Sequence, residues 1–403
     1  MGLIKKVCIA GKNNIAVDIA HYLLHNFPEI ELFILINKTD NGYDSWQKSL
    51  KNFAKINKIL VSSLDELYQY SDLLFLSLEY DRIIDPNKFK TQYLYNLHFS
   101  KLPKYKGMYT SVWPLLNGEE ESGVTLHQIN TGIDTGNIVS QKCFALRHND
   151  TARDLYFKYI ENGILLMKNN ISMLLKNNQI VTHEQNAIKS SYYSKNSINF
   201  SNICIDLKKT AFEIHNQIRA FTFREFQLPS LFGYEISSSR ILNHQSSEKP
   251  GEILKEDIND ITIATIDFDI ILTKSHVNCL FEACKYGDLT ILNEYLPSIE
   301  DIDIQNAQGW TMLIVASYHN HEHIIIRLLE AGANINKANY KGTTPLMYAK
   351  SAYVNDNKFS ALNILLKNGA DIFQRDNAGL NVIEYCQIEK LHNVVEIIQE
   401  QIK

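Results

Sequence analysis

The stretch KKVCIAGKNNIAVDIAHYLLHNF, residues 5–27, sets the class of the fold. Its first part, KKVCIAG, is a short apolar run closed by Gly11, as a buried strand is. Its second part carries Ile15, Ile19, Leu23 and Leu24 at helical spacing. A strand running into an amphipathic helix is the opening of an α/β unit. ELFILIN (31–37), SDLLFLSLEY (71–80) and YLYNLHF (93–99) read as further strands of the same kind. Strands alternating with helices imply a Rossmann-like parallel sheet, and ligands of such sheets sit at the carboxyl ends of the strands. The turn AGKNNIA lacks G-x-G-x-x-G, so a dinucleotide cofactor is not expected.

Beyond this unit, GVTLHQINTGIDTGNIVSQKCFAL (123–146) predicts two strands around the turn-rich NTGIDTG. TARDLYFKYIENGILLMKNNISMLL (151–175) predicts a long helix with Thr151 as its N-cap. After a helix at AFEIHNQIRAF (211–221), short strands such as PGEIL and ITIATIDFDIILT indicate a small β-rich domain. The last part repeats. One unit begins at Gly309, the next at Gly342, 33 residues on, and a third at Gly379, 37 on, as if YVNDNKFS (353–360) held a four-residue insertion. A degenerate copy, LFEACKYGDLTILNEYLPSIEDIDIQNAQ (280–308), precedes them. A period near 33 with GTTPLMYA and LLEAGANIN resembles ankyrin repeats, helix pairs that are stable only when stacked. The expected architecture is a Rossmann-like α/β domain over 1–189, a small β-rich domain over 190–274, and an all-α ankyrin domain over 275–403.

The 403 residues suffice for two or three domains, and 45% hydrophobic residues supply their cores. A net charge of −5 argues against gripping a long nucleic acid. No apolar run reaches about eighteen residues, so no membrane span is expected. The start MGLIKKVCIAG carries neither a signal-peptide core nor, with Lys6 in place, a myristoylation signal. Six scattered cysteines without metal-binding spacing suit reduced thiols and a cytoplasmic setting, with no metal site.

The chemistry is concentrated in NLHFSKLPKYKG (96–107). On a strand, Asn96 and His98 point the same way with Leu97 opposed. GIDTG brings Asp134 between Gly132 and Gly136. An amide, an imidazole and a carboxylate together suit acyl transfer to an amine. The amide stabilises an oxyanion, the imidazole moves a proton, and the carboxylate orients or balances the imidazole. A serine nucleophile is less attractive, since no G-x-S-x-G elbow exists, and Ser100 reads as a loop hydrogen-bonder. Lys101, Lys104 and Lys106 read as a solvated edge with a modest pull on anions, and His127 as a satisfied structural histidine.

The pattern N-x-H-x-S-x-L-P-x-x-x-G, followed by G-V-T-x-H at 123–127 and D-x-G-x-I at 134–138, resembles the formyltransferases that use 10-formyltetrahydrofolate. That resemblance, over roughly the first 190 residues, implies Asn96, His98 and Asp134 as the catalytic trio; Phe99 stands where many members carry proline. It implies Tyr80, Arg82 and Ile83 near the pterin. The segment IHNQIRAFTFREFQLPSLFGYEI (214–236) resembles sugar N-formyltransferases of bacterial surface-polysaccharide (O-antigen, lipopolysaccharide) pathways, those acting on a dTDP-linked 3-amino-3,6-dideoxyhexose above all. Expected sugar-nucleotide contacts are Lys106, Tyr109, Trp113, Arg219, Phe221 and Arg224. The resemblance also implies a homodimer. Trp310, at a repeat turn that usually carries a small polar residue, is expected as an exposed platform for a protein or a second nucleotide sugar. A formyltetrahydrofolate hydrolase and an ankyrin-type binding protein with an enzyme-like scaffold are the alternatives, and neither 3-amino versus 4-amino nor dTDP versus UDP is decided by the residues.

Overall fold

A computed structural model describes residues 4–176, 180–356 and 358–400. Met1–Leu3, on which the reading of the chain's start rests in part, and residue 357 within the expected insertion lie outside them. Contacts divide the chain into two compact units, the first reaching Lys274 without Asp44–Trp46, and the second made of Asp44–Trp46 and the chain from Ser275 on.

The first unit is built on a seven-stranded sheet. Its strands are β1 (Lys6–Gly11), β2 (Glu31–Ile36), β3 (Leu60–Val61), β4 (Leu73–Leu78), β5 (Leu94–His98), β7 (Glu121–Gln128) and β8 (Ile138–Ala145), in the order β3-β2-β1-β4-β5-β7-β8. The short β6 (Lys106–Gly107) pairs in parallel with β9 (Tyr192–Tyr193) outside that sheet. β1 to β5 are parallel, as the alternation with helices requires, and β1 after Lys6 and β4 apart from Ser77 are apolar and buried because both faces of the sheet are covered. The sheet is nevertheless mixed: β7 runs antiparallel to β5, and β8 antiparallel to β7. For β8 the physical reason is the short loop between β7 and β8, which leaves no room for a crossover helix. The loop of this hairpin starts beside the amino end of β5, where the Ile129 N–H donates to the Leu94 carbonyl, and folds back so that Asp134 meets Asn96 and His98.

Helix α1 (Asn13–Asn26) buries Ile15, Ile19 and Leu23 on the sheet, as their spacing predicts. The turn before it is tight: a Cβ on Gly11 would lie 1.8 Å from the Leu78 carbonyl oxygen, so the ends of β1 and β4 close only around glycine. Short helices α2 (Leu50–Ile56), α3 (Leu64–Leu67) and α4 (Trp113–Leu116) lie in the connections. Helix α5 (Ala152–Leu175) starts at Thr151 with a capping box closed by Asp154, which satisfies two otherwise orphaned amides. Its Tyr159 is fully buried and stacks on Phe99 at 5.4 Å, so the residue that departs from the usual proline is a core aromatic.

Helix α6 (Ala211–Phe221) matches its expected span and packs on an antiparallel five-stranded sheet of order β10-β11-β14-β13-β12. These strands are β10 (Ser230–Leu231), β11 (Tyr234–Ile241), β12 (Ile253–Glu256), β13 (Asp260–Ile263) and β14 (Ile270–Lys274). Ile214, Ile218, Ile236, Ile261, Ile263, Ile270 and Leu272 form their shared core.

The second unit is helical. Its pairs are α7 (Val277–Tyr286) with α8 (Leu289–Tyr295), α9 (Met312–Tyr318) with α10 (Glu322–Glu330), α11 (Pro345–Asp356) with α12 (Ser360–Lys367), and α13 (Val382–Ile388) with α14 (His392–Glu400). One turn recurs three times: Gly309, Gly342 and Gly379 have φ of 78°, 79° and 80°, and each donates to the carbonyl three residues back, at Asn306, Asn339 and Asp376. The longer second spacing is absorbed in α11, which has 12 residues where α9 and α13 have 7. Trp310 departs from expectation. It is half-buried, with its ring centroid 4.5 Å from that of Tyr348 and 5.4 Å from that of Tyr318, so the turn position is used for packing between repeats.

Candidate active site

Asn96 and His98 end β5 and, being two apart, share a face. Both reach Asp134, which arrives from the β7–β8 loop. The Asn96 amide nitrogen lies 3.3 Å from Asp134 Oδ1, and His98 Nδ1 lies 3.5 Å from Asp134 Oδ2. The structure thus brings the three together. Asp134 takes a left-handed backbone with φ of 54°, and the Gly107 N–H donates to its Oδ2 at 2.9 Å. Gly136 admits no side chain, since a Cβ would stand 1.8 Å from the Gln128 carbonyl oxygen. Burial alone would raise the Asp134 pKa. The positive charge available at His98 and His127 and the Gly107 N–H more than offset it and hold the carboxyl well below the usual carboxylate range.

The hydrogen bonds assign the imidazole. His98 Nε2 is 2.8 Å from the carbonyl oxygen of Tyr105, which only accepts, so Nε2 carries the hydrogen. The lone pair of the neutral ring is then on Nδ1, facing Asp134. His127 is opposite Asn96 across the β5–β7 ladder. Its Nδ1 donates to the Gln128 carbonyl at 2.8 Å, which leaves Nε2 to accept from the Asn96 amide at 3.1 Å. His127 is satisfied and buried, as expected, but it also orients the Asn96 amide. The strand register carries that information, and its sequence sign is the placement of His127 at the end of an alternating run.

Other expected residues divide. Lys101 and Lys104 pair with Glu121 and Glu119 at the surface. Lys106 is not on that solvated edge: only 7% of it is exposed, because β9 covers β6. Burial lowers its pKa, opposed by the charge of Asp134, and its Nζ has no hydrogen-bond or ion-pair partner among the described residues. Trp113 stacks on Tyr193 at 4.0 Å and donates its indole N–H to the Met108 carbonyl. Tyr109 meets Phe200 edge-on at 4.8 Å, and Phe200 is 6.4 Å from Phe221, which is packed against the core of α6 and its sheet. Arg219 is placed differently from the expected pyrophosphate contact. It is buried, with its guanidinium on Asn216 Oδ1 and the carbonyls of Asp150 and Leu115, and so ties α6 to the first sheet's loops. Arg224 is exposed and pairs with Glu225. Arg82 and Ile83 are exposed beyond the end of β4, and the half-buried Tyr80 keeps its hydroxyl buried without a partner.

Composition and spacing gave no sign of Glu79, Gln185 or Tyr193. Glu79 follows β4 with φ of 59° and accepts from the Tyr156 hydroxyl at 3.0 Å and from Asn13 Nδ2 at 3.2 Å. Its own carbonyl accepts from Asn37 at 2.8 Å, so the ends of β1, β2 and β4 and helix α5 are tied at one residue. Burial raises its pKa, with Lys12, Tyr156 and Asn13 opposing. A raised folded pKa means stability is lost as pH rises from about 4.3, the ordinary glutamate value, through the folded one. Glu79→Gln should abolish that loss. Thermal melts of both proteins over a pH series should show the variant gaining on the parent as pH rises through this window, and a constant gap would contradict the assignment.

Among the described residues no cluster of three or more His, Cys, Asp or Glu could hold a metal ion, and no helix is long and apolar enough to cross a membrane. Comparison with known proteins adds the following. Residues 48–169 match a family model for formyl transferase, 198–278 one for the formyl transferase C-terminal domain, and 280–376 one for ankyrin repeats in three copies. The N-formyltransferase of Helicobacter canadensis, solved with folinic acid and dTDP-3-aminofucose, is 49% identical over 67% of this chain and 99% of its own, with a TM-score of 0.63. WlaRD, a sugar 3N-formyl transferase solved with dTDP and 5-N-formyl-THF, is 48% identical over 68% of this chain and 98% of its own, again with a TM-score of 0.63. The bifunctional polymyxin resistance protein ArnA of Wigglesworthia glossinidia brevipalpis is 29% identical over 70% of this chain, and the chain spans 42% of that protein's length.

Proposed function

Since the chain belongs to the N-formyltransferase family, we propose that it transfers the formyl group of 10-formyltetrahydrofolate to the amine of a dTDP-linked 3-amino-dideoxy sugar. The observation that carries this reading is the Asn96–His98–Asp134 constellation, in a chain that covers almost all of two sugar N-formyltransferases at 48–49% identity. The donor fits the donor set: an amide, an imidazole with its lone pair turned to a carboxylate, and the partnerless Tyr80 hydroxyl at the loop that carries Arg82 and Ile83. It supplies the formyl carbon; the chain's residues supply the rest.

His98 Nδ1 takes the proton from the attacking amine, Asp134 stabilises the cation so formed, and His98 returns the proton to the donor's departing nitrogen as its bond to the formyl carbon breaks. Tyr105 keeps His98 in the tautomer that allows this. The Asn96 amide serves the developing oxyanion. In the free enzyme both of its hydrogens are engaged, by His127 at 3.1 Å and Asp134 at 3.3 Å, and the longer of the two bonds is the one to be exchanged for substrate. Lys106, a largely buried lysine whose ammonium has no partner among the described residues, is suited to the sugar nucleotide's phosphates. Lys106→Met should raise KM for the nucleotide sugar about tenfold, the loss of one charge-assisted contact, with kcat little changed. An unaltered KM would remove Lys106 from the acceptor site.

We further read the enzyme as cytoplasmic and homodimeric, serving O-antigen or another lipopolysaccharide-type surface glycan. Domain limits at 189/190 and 274/275 belong to the same reading. Trp310, with Tyr318 and Tyr348 beside it, is the proposed contact of the repeats with a protein or a second nucleotide sugar. The deciding experiment incubates the full chain and 10-formyltetrahydrofolate with dTDP- and UDP-linked 3-amino and 4-amino sugars, and follows the acceptor's mass. Gain of one formyl group on the dTDP-linked 3-amino sugar is expected. Formate release without formylation of any acceptor would refute the reading in favour of a hydrolase.

A further inference from the structure

We propose that the ribbon 182–193, which joins the parts of the first unit matched by the two formyl transferase models, sets the catalytic geometry, with Gln185 as the positioning residue for Asp134. The inference rests on the functional reading above. Gln185 Nε2 donates to the carbonyl oxygens of both Asp134, at 2.9 Å, and Gly136, at 2.7 Å. Two acceptors side by side require both hydrogens of the amide, so the orientation of the side chain is fixed, and its Oε1 is left buried without a partner. One of the two carbonyls belongs to Asp134, whose left-handed backbone aims its carboxylate at His98, and the other lies two residues on, across Thr135. A single amide therefore holds the turn that would otherwise relax toward a commoner conformation.

The same ribbon holds the other half of the site. His183 pairs with Ile138 through hydrogen bonds of 2.8 and 2.9 Å at the base of the Asp134 loop. Ser191 accepts the Tyr105 N–H on its hydroxyl at 2.8 Å and the Lys106 N–H on its carbonyl at 2.9 Å, and Tyr193 accepts the Met108 N–H at 2.8 Å. Tyr105 supplies the carbonyl that fixes the His98 tautomer, and Gly107 the N–H that holds Asp134. The approach is close enough that a Cβ on Gly107 would stand 2.2 Å from the Tyr193 carbonyl oxygen. One segment thus grips both partners of the Gly107–Asp134 hydrogen bond and the carbonyl behind His98.

Gln185→Met keeps length without donors, and Gln185→Glu keeps shape while turning an oxygen toward two carbonyls. In the full chain each should lower kcat for formyl transfer about 10- to 100-fold, the cost of misplacing a catalytic group by a fraction of an ångström to one ångström, with KM for donor and acceptor within about threefold. Amide hydrogen exchange should quicken in peptides covering 103–109 and 130–138 and stay unchanged elsewhere. Ser191→Ala applies the same test from the other end if a Gln185 variant fails to fold. A kcat within about twofold of the parent, or exchange that quickens evenly along the chain, would overturn the proposal. If the parent transfers no formyl group, the functional reading fails by itself and local exchange alone decides for or against the clasp.

Discussion

His98→Asn should lower kcat about a thousandfold while donor and acceptor still bind. The reasoning is geometric. Asparagine is too short to reach the Tyr105 carbonyl held by His98 Nε2, and the amide it places near the Nδ1 position facing Asp134 is not a base. Loss of a positioned general base typically costs 10²- to 10⁴-fold, and here the proton has no other acceptor of comparable basicity on the β5 end. His127 does not substitute, because its Nε2 is occupied by the Asn96 amide and its Nδ1 by the Gln128 carbonyl. Steady-state rates together with binding of the nucleotide sugar, measured by calorimetry, check this. Retention of a tenth of the activity would show that the proton leaves by another route.

The second large effect is expected of Asp134→Asn, with kcat down about 10²- to 10³-fold, since a neutral amide cannot stabilise the cation formed at His98. This substitution also has a stability signature. Asp134 is held below the ordinary aspartate range in the folded protein, against the cost of its burial. A depressed folded pKa contributes stability that is fully present above about pH 4, the unfolded value, and is lost as pH falls below it toward the folded one. The variant lacks that contribution. Its deficit in melting temperature should therefore be constant from pH 7 to about 5 and shrink below about 4. A deficit independent of pH would mean that shape at the Gly107 contact matters and charge does not.

The side-by-side placement of Asn96 and His98 was legible because a strand has period two: their spacing alone puts them on one face. The repeats were legible because 33-residue self-similarity survives a degenerate first copy and a lengthened α11. What the residues concealed depended on contacts remote in sequence. Lys106 reads as one of three surface lysines until β9 is laid over β6. Arg219 reads as a ligand residue until its guanidinium is found on the carbonyls of Leu115 and Asp150. Trp310 reads as exposed because its neighbours Tyr318 and Tyr348 lie in its own and the next repeat. Gln185 and Tyr193 occupy a stretch without periodicity, which reads as a connector, and nothing local distinguishes an amide that clamps two carbonyls from one in water.

The parallel pairing of β9 with β6 has a consequence for anyone who recombines such enzymes. A chimera joined between residues 189 and 190, where composition changes, would bring Ser191–Tyr193 from one parent against Tyr105–Met108 from the other. Those contacts are mostly main chain to main chain, yet they pass through the one place where Gly107 leaves no room for a side chain. The graft junction belongs beyond Tyr193, so that the small β-rich part is exchanged with the ribbon 182–193 left whole.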